Sequence, residues 1–411
     1  MVDPARPLSL LAAQAGSPAF VDAMEQLQRC GGVLGLAPAQ ELPNLRQALG
    51  QGDPLVWRHA PAVVLGSGGS SGRRRWCLQP ITHLEASAAA TGDWLRQLGI
   101  EPSTALLVNP LPWHHVSGLM PWLRSQIWGA EHRWLEPAQL RTPQALPHTL
   151  PLPPGQPALL SLVPTQLHRL LAHPAGVRWL QGFSLIWIGG APLAPEERGR
   201  SRQLGLHLAP CYGSTETGSM VTALAPQAFL AGQAGCGRAL PHAQLRIAPA
   251  NGAVEVRSRS LSAGVLEGGR LWPLAKADGW WRSGDLGQLA AEGGLTLLGR
   301  LDGAVHSGGE TVFPEQVELA LQTLAAQQGL PLAALLLVAQ PDPEWGQRLV
   351  ALVRGQGGED ATRLIPALQC LAAGLPPAQR PRDWRLCPEL EPNAMGKWER
   401  QHWQRWLSDQ S

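Results

Sequence analysis

The sequence predicts an α/β protein with a large N-terminal domain, mostly parallel sheet plus a hairpin-rich portion, and a small α+β C-terminal domain. Three observations predict it. From Ala62 onward, short apolar runs end in polar or glycine-rich loops and helical stretches follow, the alternation of a parallel sheet with its crossovers. Beyond Gly235 the spacing changes to that of hairpins. After Asp302 a shorter unit begins, with one amphipathic helix and two apolar strands. The natural division is residues 1–301 and 302–411.

Length and composition agree. A chain of 411 residues holds two or more domains with buried cores. Hydrophobic residues make up 44% and charged residues 16%, and a net charge of +2 supplies no basic field for nucleic acid or an anionic membrane. The six cysteines show no CxxC pair or metal-like spacing, so reduced thiols are expected. Asp3 and Pro4 stand where a signal peptide carries basic residues, and no apolar run approaches ~18 residues. A cytoplasmic protein without stable membrane insertion is the expectation.

Residues 1 to about 58 carry no motif, only a helical tendency over 20–29. Strands are expected at 62–65, 104–108, 158–163, 185–188 and 205–208, where short apolar runs meet turn residues. The proline-rich stretch 141–157 reads as an extended connector. Strands at 244–247 and 254–257 flank Asn251-Gly252, a strong hairpin signal. In 280–318 a polar loop with Asp285 precedes two short strands joined across Gly293-Gly294, so Asp285 and Arg300 can reach one ligand from two sides of that hairpin. A glycine-rich loop, 306–310, leads into a helix starting at Pro314, with Val317, Ala320, Leu321 and Leu324 on one face. Strands at 334–338 and 349–353 complete the small unit.

Six segments carry chemistry. Ser67, Gly69, Ser70, Ser71 and Gly72, with Arg74 and Arg75 after them, form a loop at a strand end. Its backbone amides, hydroxyls and guanidinium groups suit an anion. It lacks the GxxxxGK[ST] spacing of a Walker loop. His115 of the His114-His115 pair follows another apolar strand and either lines a pocket or is an ordinary core or surface histidine. Gly189, Gly190 and Ala191 make a small-residue turn that admits a flat ring, or are a tight turn and nothing more. Tyr212, the chain's single tyrosine, Thr215 and Glu216 offer an aromatic face, a hydroxyl and a carboxylate within five residues. Glu216 suits Mg²⁺ beside a phosphate. Asp285 and Arg300 form the fifth segment, and Lys397 follows the flexible Gly396 near the C-terminus.

Taken in order, these segments resemble the motifs of the adenylate-forming superfamily of acyl-CoA synthetases, luciferases and peptide-synthetase adenylation domains, from about Ala62 to Lys397. The 67–75 loop resembles its phosphate loop, with Arg74-Arg75 in place of the usual Pro-Lys. His115 falls on the PLFHxSGL element, Gly189 to Ala191 on the GGAPL turn beside adenine, and Tyr212 to Glu216 on YGxTE. The resemblance implies that Asp285 holds the ribose hydroxyls and that Arg300 supports them. Asp302 is the implied hinge, Gly308 and Gly309 line a CoA tunnel, and Lys397 is the C-terminal catalytic lysine. ATP, Mg²⁺ on Glu216 and CoA as co-substrate follow. So does a two-step reaction in which a carboxylate is adenylated and then transferred to CoA. The 161–167 segment, SLVPTQL, is similar to that of 2-succinylbenzoate–CoA ligases of menaquinone and phylloquinone synthesis, which makes 2-succinylbenzoate the expected acid. A ligase for another aryl or medium-chain acid is the alternative. Arg74-Arg75, Ser283 in place of Thr, and Gly303 in place of a second Asp favour a second alternative, a homologue that binds nucleotide without catalysis. A homodimer is left open.

Overall fold

Four of the expected apolar runs lie side by side in one sheet, as buried runs of that length in an alternating chain should. The structure is a computed structural model that describes residues 8–12, 18–50, 53–67, 75–356, 361–393 and 396–410. Its central sheet has seven strands, in the order Arg238–Ala239, Ser219–Ala223, Leu208–Ser214, Leu185–Ile188, Ala158–Leu162, Leu106–Asn109 and Glu131–Trp134. From Leu208–Ser214 to Glu131–Trp134 every neighbouring pair is parallel. The carboxyl ends of these strands therefore gather at one edge, where open α/β sheets bind ligands. Leu106, Leu160, Ile186 and Leu208 face one apolar cluster, while Leu107, Leu159, Leu185 and Trp187 face another, so both faces of the sheet are covered.

A six-stranded sheet joins Leu8–Ala12, Val33–Ala37, Ala62–Ser67, Arg75–Pro80, Gly264–Glu267 and Arg270–Pro273 in that order. Its first three strands are parallel, so the α/β pattern starts well before Ala62. Two features hid it. Helix Pro18–Cys30 buries only Phe20, Met24 and Leu27, and the fully buried strand Val33–Ala37 is five residues long. Gly35 sits in that strand because a Cβ there would meet Leu10 Cδ2 at 2.7 Å.

The third sheet confirms the Asn251-Gly252 hairpin, with Ile247 opposite Val254 and Gly252 at φ +72°. Asp285 is not in a loop, however. It lies within strand Trp280–Leu289, directly opposite Arg300 of strand Leu295–Arg300. The two residues are cross-strand neighbours rather than groups on opposite sides of the hairpin. The expected strand at 205–208 likewise begins later, at Leu208, and runs through Tyr212 to Ser214 because Ser219–Ala223 pairs with it. The 141–157 connector is partly helical: Pro143–Ala145 and Leu146–Thr149 carry proline at an early helical position, where the missing N–H is harmless.

A fourth sheet holds Glu310–Val312, Val305–Ser307, Gly346–Gly355, Leu332–Asp342 and Asp383–Leu386. Residues 306–310 are the turn of a hairpin in it, not an open loop. Helix Pro314–Gln327 starts at Pro314 and buries Val317, Glu318, Leu321 and Ala325, while Ala320 and Leu324 are half-buried. All six cysteines are free thiols. Among the described residues no helix is long and apolar enough to cross a membrane.

Candidate active site

The carboxyl edge of the central sheet receives four of the six segments, each by a local device. Asn109 ends its strand, accepts the Leu111 N–H at 3.1 Å and donates to the Gly118 carbonyl at 2.8 Å. That folds residues 110–118 over the strand end. A Cβ on Gly118 would stand 2.4 Å from the Leu111 oxygen and 2.2 Å from the Pro112 oxygen, so only glycine fits there. His115 is the N-cap of helix Val116–Trp128, its carbonyl accepting from Gly118 and Leu119, and its ring lies 4.3 Å from that of His114. Two strands along, Gly189 follows Ile188, and a Cβ on it would meet Cys211 Sγ at 3.0 Å. Gly190 takes φ +87°. The turn therefore hugs the Tyr212 strand and leaves bare backbone beside it.

Tyr212, Asp285 and Arg300 meet. The Tyr212 hydroxyl donates to Asp285 Oδ2 at 2.7 Å, and Arg300 Nη1 donates to Asp285 Oδ1 at 3.1 Å. Arg300 also binds both Asp302 oxygens, each at 2.8 Å, and these bonds raise its pKa further. Burial, and then the adjacent Asp285 carboxylate, hold the Tyr212 phenol well above its usual pKa, so it stays a donor. A carboxylate has about four lone-pair sites. Tyr212 and Arg300 occupy two, and the others suit a vicinal diol. Ser283 supplies the hydroxyl expected of a threonine there, its Oγ accepting the Asp285 N–H at 3.1 Å.

Thr215 and Glu216 lie between the two sheets. The Gln79 amide donates to the Thr215 carbonyl, and the Thr215 hydroxyl reaches the Gly66 carbonyl at 3.5 Å, one residue before Ser67. Ser262 N–H holds the Glu216 carbonyl at 2.7 Å. Thr217 accepts the Ser214 N–H at 2.7 Å and donates to the Ser219 carbonyl at 2.6 Å, closing the turn. Ser67 and Arg75 face each other across the last pair of their strands. Gly69, Ser70, Ser71, Gly72 and Arg74 lie outside the described residues. No group of three or more His, Cys, Asp or Glu side chains among the described residues is arranged to hold a metal. Mg²⁺ that keeps its waters and binds phosphate oxygens needs only one or two carboxylates, so Glu216 fits it.

Lys397 comes to the same edge from the far end of the chain. Asn393 accepts the Lys397 N–H at 3.0 Å through its side chain and donates its own N–H to the Lys397 carbonyl at 2.9 Å. The turn so closed rests on the residues after strand Ala158–Leu162: a Cβ on Gly396 would stand 3.4 Å from Thr165 Oγ1 and 3.8 Å from Val163 Cβ. Gly308 and Gly309 are not drawn into this group. Gly308 packs on Trp345, whose carbonyl accepts its N–H at 2.9 Å, and open space surrounds Gly309.

One residue escaped the sequence reading. Arg124, on the helix that His115 caps, is 3% exposed, and among the described residues no carboxylate pairs with it. Its Nη2 donates to Ser219 Oγ at 3.2 Å, its Cζ lies 5.3 Å from the Trp187 ring centre, and its Nε is unpartnered among the described residues. Burial pulls this guanidinium down to about 10. Ser219 pairs with Ser214, so the charge lies directly behind the Tyr212–Glu216 turn. A buried guanidinium whose Nε is unpartnered among the described residues is suited to an anion.

The AMP-binding enzyme family matches residues 13–266, more than half of the chain. The 2-succinylbenzoate–CoA ligase of Enterococcus faecalis is 28% identical over 348 residues, covering 82% of this chain and 67% of that protein. A probable 2-succinylbenzoate–CoA ligase of Mycobacterium tuberculosis is 29% identical over 392 residues, 89% of this chain and 94% of its own. Among solved structures, wild-type Escherichia coli MenE with a bound m-phenylether-linked analogue of OSB-AMS superposes with a TM-score of 0.72 at 25% identity. The superposition covers 98% of this chain and 88% of that one.

Proposed function

Because this chain belongs to the AMP-binding enzyme family, we propose that it joins a carboxylic acid to CoA through an acyl-adenylate, with 2-succinylbenzoate as the acid. The observation that carries the reading is the convergence at one sheet edge of Tyr212, Asp285 and Arg300, the Thr215-Glu216 turn, and the Lys397 turn seated on Val163 and Thr165. The names of the relatives support the choice of acid, and so does Arg124. 2-Succinylbenzoate carries two carboxylates, one to be activated and one left over, and a buried guanidinium that faces no carboxylate among the described residues suits the second.

In this mechanism Gly189, Gly190 and Ala191 receive the adenine, with Tyr212 beside it, and the free sites of Asp285 take the ribose hydroxyls. Thr215, Ser67 and Arg75, with the loop between them, hold the phosphates. Mg²⁺ on Glu216 would offset the charge that builds on the leaving pyrophosphate. Lys397 bridges the acid's carboxylate and the α-phosphate, stabilising the charge that develops as the oxygen attacks phosphorus. His115 borders the acyl side. A 302–411 domain then turns about Asp302, withdraws Lys397 and brings Gly308-Gly309 to the site, so that the CoA thiolate attacks the acyl carbon and AMP departs.

The test is exchange of labelled pyrophosphate into ATP with 2-succinylbenzoate present and CoA absent, followed by mass analysis after CoA is added. Acid-dependent exchange and a thioester product are expected. Exchange supported by another acid alone would keep the mechanism and discard this substrate.

A further inference from the structure

The Lys397 turn is tied to the segment around Asp302 by one buried and two half-buried charges that the mechanism above does not use. Arg400, three residues beyond Lys397, donates to Glu318 Oε1 at 2.7 Å and Oε2 at 2.9 Å, to the Leu337 carbonyl at 2.5 Å, and pairs with Glu315 Oε1 at 3.1 Å. Glu318 is 6% exposed and also accepts the Leu337 N–H at 2.6 Å. Glu315 is different in kind. It stands in the first turn of helix Pro314–Gln327 and leans on the glycines either side of Arg300 and Asp302. A Cβ on Gly299 would meet its Oε2 at 3.0 Å, and one on Gly303 its Oε1 at 3.4 Å. That Oε2 is buried and has no hydrogen-bond partner among the described residues.

An ion pair of Arg400 with Glu318 alone would suffice to dock the C-terminal helix. Adding Glu315 brings a second carboxylate within reach of the same guanidinium, which raises rather than relieves the negative charge, and leaves one of its oxygens unsatisfied. Its position has a physical sense if its partner group is the backbone of residues 299–303 in this one arrangement. Any rotation about Asp302 carries the helix, and Glu315 with it, away from Gly299 on the other side of the hinge.

We propose that Glu315 and Arg400 are positioning residues for acyl-adenylate formation: Glu315 registers the backbone at 299–303 and Arg400 passes that registration to the Lys397 turn. The inference rests on the assignment of Lys397 to the adenylation step. The two residues act only while the Lys397 turn is seated on Val163 and Thr165, so the thioester step does not depend on them.

The experiment uses the full-length chain and measures the two half-reactions separately, adenylate formation from ATP and acid, and thioester formation from supplied acyl-adenylate and CoA. Glu315→Gln keeps shape and removes charge, so it is the first variant; Arg400→Lys is the second, and Lys397→Ala is the control. A displacement of about 1 Å at a reacting group can cost on the order of a hundredfold. Glu315→Gln is expected to lower kcat for adenylation by about tenfold and Arg400→Lys by about a hundredfold, with KM for ATP unchanged and the thioester step within about twofold of wild type. Equal losses in both half-reactions would make the cluster merely structural, and no loss in either would remove its role. Both results overturn the proposal when Lys397→Ala abolishes adenylation alone. If Lys397→Ala leaves adenylation intact, it is the assignment of Lys397 that fails.

Discussion

Replacing Arg124 with Met should raise or preserve stability while removing activity with one substrate. The guanidinium is 3% exposed, and its pKa falls to about 10 from an ordinary value near 12.5. At pH 7 the group is charged in both folded and unfolded chains, so the depressed folded pKa is a cost of burying the charge. At 1.36 kcal/mol per pKa unit that cost is about 3 kcal/mol. Against it stand one bond to Ser219, worth about 1.5 kcal/mol, and the Trp187 contact, worth about 1 kcal/mol. Methionine fills much of the volume and removes the charge. The net is near zero to a gain of about 1 kcal/mol, where ordinary loss of a buried side chain costs about 2–5 kcal/mol. The catalytic effect runs the other way. Losing a desolvated partner for a carboxylate costs about 3 kcal/mol, on the order of a hundredfold in kcat/KM for 2-succinylbenzoate. Benzoate, whose only carboxylate is the one that reacts, should change by less than about threefold. Denaturant unfolding and pyrophosphate release with both acids measure this. Destabilisation beyond about 2 kcal/mol, or equal losses with both acids, would refute the reasoning.

Other predictions follow from the same geometry. Asp285→Ala removes the acceptor of Tyr212 and Arg300 and the proposed ribose site. It should weaken ATP by about 3 kcal/mol, on the order of a hundredfold in Kd by calorimetry, and unchanged affinity would take Asp285 off the ribose. Gly118→Ala drives a Cβ into the backbone oxygens of Leu111 and Pro112, which cannot swing aside, and should cost about 3 kcal/mol by urea unfolding. His132 and His242 are held by burial at about 4, so both stay neutral when folded while an unfolded chain protonates them near 6.5. Unfolded chains then bind more protons between these values, and stability is full above pH 6.5 and falls as pH drops toward 4. Each site contributes about 3 kcal/mol of that loss, and His242→Gln should flatten the profile measured by unfolding at stepped pH.

Much of this was legible because the informative residues are local. Asn251-Gly252 dictates its hairpin through the positive φ of Gly252 and the Asn251 side chain that accepts the Ala253 N–H, Pro314 marks a helix start, and the order of small-residue turns after apolar strands marks the sheet edge. What escaped depends on partners distant in sequence. Asp285 reads as a loop residue among Ser, Gly and Arg, yet its place in a strand is set by pairing with Arg300 and with the sheet behind it. Tyr212 reads as following a strand, and the antiparallel partner Ser219–Ala223 makes it part of one. The first parallel strands are hidden because they are only five residues long and one of them contains Gly35. Arg124 was invisible for a simpler reason. An arginine's meaning lies in whether a carboxylate faces it, and here Ser219, 95 residues away, does instead.

The central claim is that one sheet edge adenylates 2-succinylbenzoate and passes it to CoA. The most direct measurement is ATP-dependent pyrophosphate release with 2-succinylbenzoate, benzoate, a medium-chain fatty acid or no acid, each with and without CoA. The account predicts release selective for 2-succinylbenzoate, with a CoA thioester formed only when CoA is present. Silence with every acid in a protein that still binds ATP would contradict it.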